Sequence, residues 1–162
     1  MKARSIATTL IVWLALMVSL GCGTGDQGRF EQSGYTECSE CNLANADLRN
    51  LRYVDNVRVD LYWANLSGAN LSGANLNIAG LRRADLSGAD LSGAKLNRAD
   101  LSGADLSGAN LTRADLSGAY LIGANLTDAD LTDADLAGAN LKYVIGADFS
   151  GAQNVPAKYL KD

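Results

Sequence analysis

The chain has no histidine and only one proline, Pro156, in 162 residues. Without histidine, the Ser-His-Asp and Cys-His arrangements of nucleophilic catalysis are excluded. The three cysteines, Cys22, Cys38 and Cys41, are too few to build a four-ligand structural zinc site. Neither glycine-rich phosphate-binding loop occurs. Asp128, Asp130, Asp133 and Asp135 form the densest carboxylate cluster, but their spacing is not that of a calcium loop. A solvated acidic surface is the expectation there, with no metal and no cofactor. The N-x-S/T matches at Asn65, Asn70, Asn110 and Asn125 follow automatically from a repeat and carry no separate message. These absences point away from an enzyme.

What is present is a strict period of five. From Leu61 to Leu141, 17 consecutive leucines stand five residues apart, and 16 of them have alanine two places earlier, with Val59 the exception. Five matches neither the helical period of 3.6 nor the strand period of 2. A unit this short cannot bury its apolar residues alone, so it must stack on copies of itself. Each unit can form one side of a square coil, four sides making a turn of about 20 residues that stacks on the next at roughly 4.8 Å. Leu and Ala then point inward, and the other three positions face solvent. Asp or Asn fills 14 of the 17 positions before Leu. Gly is common at the fifth position, but Ile78, Arg83, Arg98 and Arg113 also occur there. A β-branched residue tolerates positive φ badly, so the bend is expected not to require a left-handed residue on every side.

The unit A-(D/N)-L-x-x, as in Ala64-Asn65-Leu66 and Ala139-Asn140-Leu141, resembles the consensus of the pentapeptide-repeat family. The resemblance covers residues 41–154. It implies an all-β solenoid, a right-handed quadrilateral β-helix, and the hand comes from the resemblance alone. Here an N-terminal signal helix and a flexible linker precede it.

Lys2 and Arg4 precede an uncharged apolar run over residues 6–20. This has the form of a secretory signal and is short for a membrane span. Ser19 and Gly21 suit an ordinary signal peptidase. Ser19-Leu20-Gly21-Cys22 also resembles a bacterial lipobox, departing from it at Ser19, with Cys22 as the lipidated residue. Both readings cut before Cys22. Lipidation of Cys22 leaves an even pair of cysteines, which favours the lipoprotein reading in an oxidising compartment. Residues 1–21 are thus a signal peptide and 22–37 a polar, Gly-containing tether. The solenoid spans 38–154, and 155–162 form a C-terminal cap or tail. Loss of Lys2 and Arg4 leaves 12 of the 14 basic residues against 18 acidic ones, a net charge of −6. Nucleic acid is therefore not an expected partner.

Cys38 and Cys41 form a C-x-x-C just ahead of the first repeat. With no βαβ pattern and no histidine, a local disulfide or thiol pair stapling the N-terminal cap is the expectation, with redox activity or a metal shared between chains as the alternatives. The resemblance agrees, since exported members of the family often carry C-x-x-C there. The register breaks at both ends. Leu48 lies 13 residues before Leu61, and Phe149 lies 8 after Leu141, each a whole number of repeats plus three.

Sorted by a 20-residue turn, one side collects Tyr62, Trp63, Arg82, Arg83, Tyr120, Ile122, Lys142 and Tyr143. Aromatic and Arg residues are enriched in binding hot spots, so Tyr62, Trp63, Arg82, Arg83, Tyr120, Ile122 and Tyr143 define a candidate interaction face. The competing reading is drift, with contact to the irregular segments near it, and Ser102 and Gly103 interrupt the cluster at mid-face. The functional expectation is a non-enzymatic, exported envelope lipoprotein, periplasmic or cell-envelope in location. It would be held at the membrane by its lipid and act as a protein-binding or spacer module for an unknown protein partner. The alternative, also from the resemblance, is a DNA mimic that inhibits or protects a DNA-binding enzyme such as gyrase; the export signal disfavours it.

Overall fold

The structure, a computed structural model, describes residues 36–37, 43–45, 47–49 and 59–160. The signal segment, most of the tether, and Cys22, Cys38 and Cys41 lie outside the described residues.

Parallel bridges link residues 20 apart along the array, from Asp60 with Gly80 to Asn125 with Ile145. Four repeats therefore make one coil, and neighbouring coils meet rung on rung. All 17 central leucines are at most 3% exposed, and the alanines from Ala64 to Ala139 are buried with them. No polar side chain enters this column among the described residues. The period of five is thus an instruction for burial. Each buried leucine contributes roughly 1.5–3 kcal/mol relative to an exposed one.

The repeat around Leu86 shows how five backbone N–H groups are satisfied. Asp85 N–H donates to Ala64 O at 2.9 Å, Leu86 N–H to Asp105 O at 2.7 Å and Gly88 N–H to Ser107 O at 2.8 Å. Ala89 N–H closes a turn onto Leu86 O at 3.0 Å. The remaining donor, Ser87 N–H, reaches the Asp85 side chain, Oδ1 accepting at 3.0 Å. Asp and Asn hold the position before Leu for this reason: the side chain caps a donor that neither the turn nor the next coil can reach. They are half-buried acceptors rather than a merely solvated row. The same bond recurs at Asn65, Asp100 and Asn140, among others.

The bend overturns one expectation. Every fifth-position residue from Trp63 to Tyr143 has positive φ, whether or not it is glycine. Ile78 sits at 55°, and Arg83 and Arg113 at 58°. A Leu-x-x-Ala turn closed by an N–H from residue four to the carbonyl of residue one, with positive φ only at its third residue, has the signature of type II. The turn geometry is therefore imposed on every side, and stacking overrides the preference of the individual residue.

At the N-terminal end, β1 (Thr36–Glu37) pairs in parallel with β2 (Val59–Asp60). The last two residues of the expected tether thus belong to the sheet edge. Thr36 meets Val59 and Asp47 meets Asn70, an offset of 23 in place of 20. The three additional residues inferred from the spacing of Leu48 and Leu61 account for this offset. At the other end Asp135 meets Gln153, an offset of 18. Phe149 takes the Leu place there, with Ala152 N–H bonding to Phe149 O. Val155 and Tyr159 then pack against the core, with Tyr159 in a 3-10 helix over Ala157–Tyr159.

Candidate functional site

The side that carries Leu61, Leu81, Leu101, Leu121 and Leu141 presents five stacked rows outward. Residues 20 apart lie one above the other, because the bridges fix that register. In the first two rows the Arg83 guanidinium lies over the Trp63 ring, 4.8 Å from its centroid. Tyr62 meets the same indole edge-on at 5.8 Å. The left-handed φ at both Trp63 and Arg83 aims the two side chains the same way, so the cation–π pair follows from the turn. In the last row Lys142 lies over Tyr143 at 4.7 Å, and Tyr143 is 72% exposed.

Ser102 and Gly103, which look like a gap in the sequence, form the floor of an open depression of about 520 Å³. Arg82 and Arg83 wall one side, Tyr120 and Ile122 the other, and Asp100 completes the lining. Gly103 matters because it has no side chain. A Cβ there would come to 3.4 Å from Cγ of Arg83, whose stem lies over it. The depression thus gathers Arg82, Arg83, Tyr120 and Ile122 from the predicted face. Tyr62 and Trp63 buttress it from the row below, and Tyr143 stands apart in the last row. Sequence reasoning missed Asp100, Ser102 and Gly103 as lining residues; sorting by the 20-residue turn places them there, but only depth reveals a floor.

The electrostatics of the depression are unusual for this chain, whose net charge is −4. Among the described residues the ion pair formed is Arg49 with Asp47 at 2.7 Å, on another side of the coil, so neither Arg82 nor Arg83 is neutralised by a described carboxylate. The Asp100 carboxylate is engaged, accepting from Ser102 N–H at 3.1 Å. Gly80 and Tyr120 stand where Asp or Asn would cap the next N–H but one. The backbone donors of Arg82 and Ile122 therefore lack the side-chain acceptor that most repeats supply. Such a site can bind anionic and apolar groups together. It holds no pairing of nucleophile and base.

Hydrogen bonding depresses four carboxylates on other parts of the coil. Arg49 lowers Asp47 to about 2, chiefly through its side-chain hydrogen bond. Hydrogen bonds from Thr132, Asn154 and Ser150 lower Asp130, Asp135 and Asp148 below the ordinary 3.8. These shifts come from capping bonds of the repeat and its last coil. Among the described residues no three His, Cys, Asp or Glu side chains converge on a common point, and no helix is long and apolar enough to cross a membrane.

The family profile "Pentapeptide repeats" matches eight copies, over residues 57–93, 79–113 and 109–153. Among solved structures, the pentapeptide repeat protein Rfr23 of the cyanobacterium Cyanothece 51142 is 32% identical. The similarity covers 81% of this chain and 96% of Rfr23, with a TM-score of 0.53. HetL of the cyanobacterium Nostoc sp. strain PCC 7120, a pentapeptide repeat protein involved in heterocyst differentiation regulation, is 44% identical with a TM-score of 0.48. The match takes in 67% of this chain but 46% of HetL, so the chain spans less than half of that protein. No curated protein matches the chain. With the profile covering more than half of the sequence and the coil register agreeing, the chain belongs to the pentapeptide-repeat family.

Proposed function

We propose that this protein is a non-enzymatic binding module, an exported lipoprotein that holds a rigid right-handed coil at a membrane surface and presents one side of it to a protein partner. The observation that carries the reading is the sorting of side chains by face. Trp63 and Arg83 stack in register, and Tyr120 and Ile122 stand exposed beside them at 50% and 37%. The other three sides carry mostly Ser, Thr, Gly, Asp and Asn. Exposed aromatic and Arg side chains on a rigid support lose little entropy on binding. Cys22 would carry the lipid, and Cys38 with Cys41 would staple the first coil as a disulfide or thiol pair.

Two measurements test this. Globomycin should block processing ahead of Cys22 and leave a precursor; insensitivity refutes the lipid anchor. Capture from detergent-solubilised envelope should recover a partner with the wild type. A variant with Trp63, Arg82, Arg83 and Tyr120 all changed to Ala should lose it. Equal recovery by both refutes the docking face.

A further inference from the structure

We infer that the depression between Arg82/Arg83 and Tyr120/Ile122 receives an acidic, extended segment of a protein partner. Its carboxylates would meet the two arginines, and an apolar side chain would lie against Tyr120 and Ile122. This inference rests on the protein-binding reading above and names the chemistry of what binds.

Three observations converge. The first is charge complementarity. In an acidic chain, Arg82 and Arg83 sit side by side with no described carboxylate in ion-pair range. Stacking on Trp63 and the close approach to Gly103 hold Arg83 in place. A positioned guanidinium recognises a carboxylate bidentately at smaller entropic cost than a free one.

The second is the pair of uncapped donors. In most repeats an Asp or Asn side chain accepts from the N–H two residues on, as Asp100 does from Ser102. At Arg82 and Ile122 that acceptor is replaced by Gly80 and Tyr120. A carboxylate from a partner, placed beside Arg82, would restore the missing bond and meet the guanidinium as well. The third is shape. The walls stand two coils apart, about 10 Å at the strand spacing, which is room for one extended chain running along the rungs. The wall of Tyr120 and Ile122 favours a segment that carries apolar side chains between its carboxylates over a bare phosphate backbone in the same place.

The test uses the full-length protein and three fluorescein-labelled peptides of alternating residues, Glu with Leu, Gln with Leu, and Lys with Leu, read by fluorescence anisotropy. The Glu peptide should bind, and the Gln and Lys peptides should bind roughly tenfold or more weakly. R82A/R83A should weaken the Glu peptide by a similar factor. Gly80→Asp should also weaken it, by supplying the internal acceptor and a repelling charge, with an unchanged urea midpoint as the check that the coil stays intact. Equal affinity for the Gln peptide, or for R82A/R83A, overturns the inference. So does Arg-dependent binding of inorganic phosphate or phosphatidylglycerol vesicles without peptide binding. If the quadruple alanine variant loses its partner but no peptide binds, the acidic segment falls and the docking face stands. If partner capture is unchanged in that variant, both fall.

Discussion

Ile78 shows what the coil demands of a single residue. Its φ of 55° is a left-handed conformation that glycine enters freely and a β-branched residue does not. For an L-residue this conformation costs about 1–2 kcal/mol. Its side chain is 44% exposed, so burial of the remainder offsets part of that cost. Ile78→Gly is therefore expected to stabilise the protein by only a few tenths of a kcal/mol, after allowing for the greater freedom of glycine in the unfolded chain. Urea unfolding should show a higher midpoint at unchanged slope. A lower midpoint would mean that Ile78 makes contacts worth more than its strain. Gly73→Ala should behave in the opposite sense: a Cβ there meets nothing within 4 Å, yet φ is 67°.

At the level of one side of the coil, two kinds of side chain do different work. Leucine supplies burial, and Asp or Asn completes the hydrogen bonding. Leu101→Ala, at a fully buried position in mid-column, should cost roughly 2–5 kcal/mol. Asp105→Ala removes the acceptor of Ser107 N–H and of the Asn125 amide. Because water can reach that donor, the expected cost is only about 1 kcal/mol. Denaturation of the two variants side by side checks the ranking, and a larger loss at Asp105 would reverse the assignment of roles.

The same acceptors impose a pH dependence. Asp47, Asp130, Asp135 and Asp148 all have folded pKa values below 3.8. A depressed carboxylate contributes stability above its unfolded pKa and loses it as pH falls through the folded value. The melting temperature should thus be level near neutrality and fall below about pH 4, the contribution of Asp47 being lost as pH approaches about 2. A melting temperature that rises on acidification from pH 6 to pH 3 would contradict this.

As a whole molecule, the solenoid has contacts only between neighbouring coils, so its ends decide its solubility. An open last coil presents unpaired rungs to any other edge. Here Val155 and Tyr159 pack against the core beyond Phe149. Deleting residues 155–162 should uncover that end and promote concentration-dependent self-association, measured by sedimentation against the full chain. Identical sedimentation at equal concentrations would show that the tail does not act as a cap. The docking proposal belongs to this scale as well, because Arg82 and Tyr120 are 38 positions apart in sequence. They face one depression because the coil returns to the same side every 20 residues.

The sequence by itself determined the coil: a period of five with Leu and Ala inward admits one way to bury them, and the 20-residue turn then assigns every residue to a side. It also located the register breaks, because any departure from a strict period is visible as arithmetic. Only the tertiary structure decided three things. The fifth position is left-handed throughout, since coil stacking imposes a turn that the residues at Ile78 and Arg83 would not choose alone. Asp and Asn recur because they cap a backbone donor, a role that exposure patterns do not reveal. Ser102 and Gly103 form a floor between Arg82 and Tyr120, because depth depends on how far neighbouring side chains rise from the surface, and a list of residues along one side holds no heights.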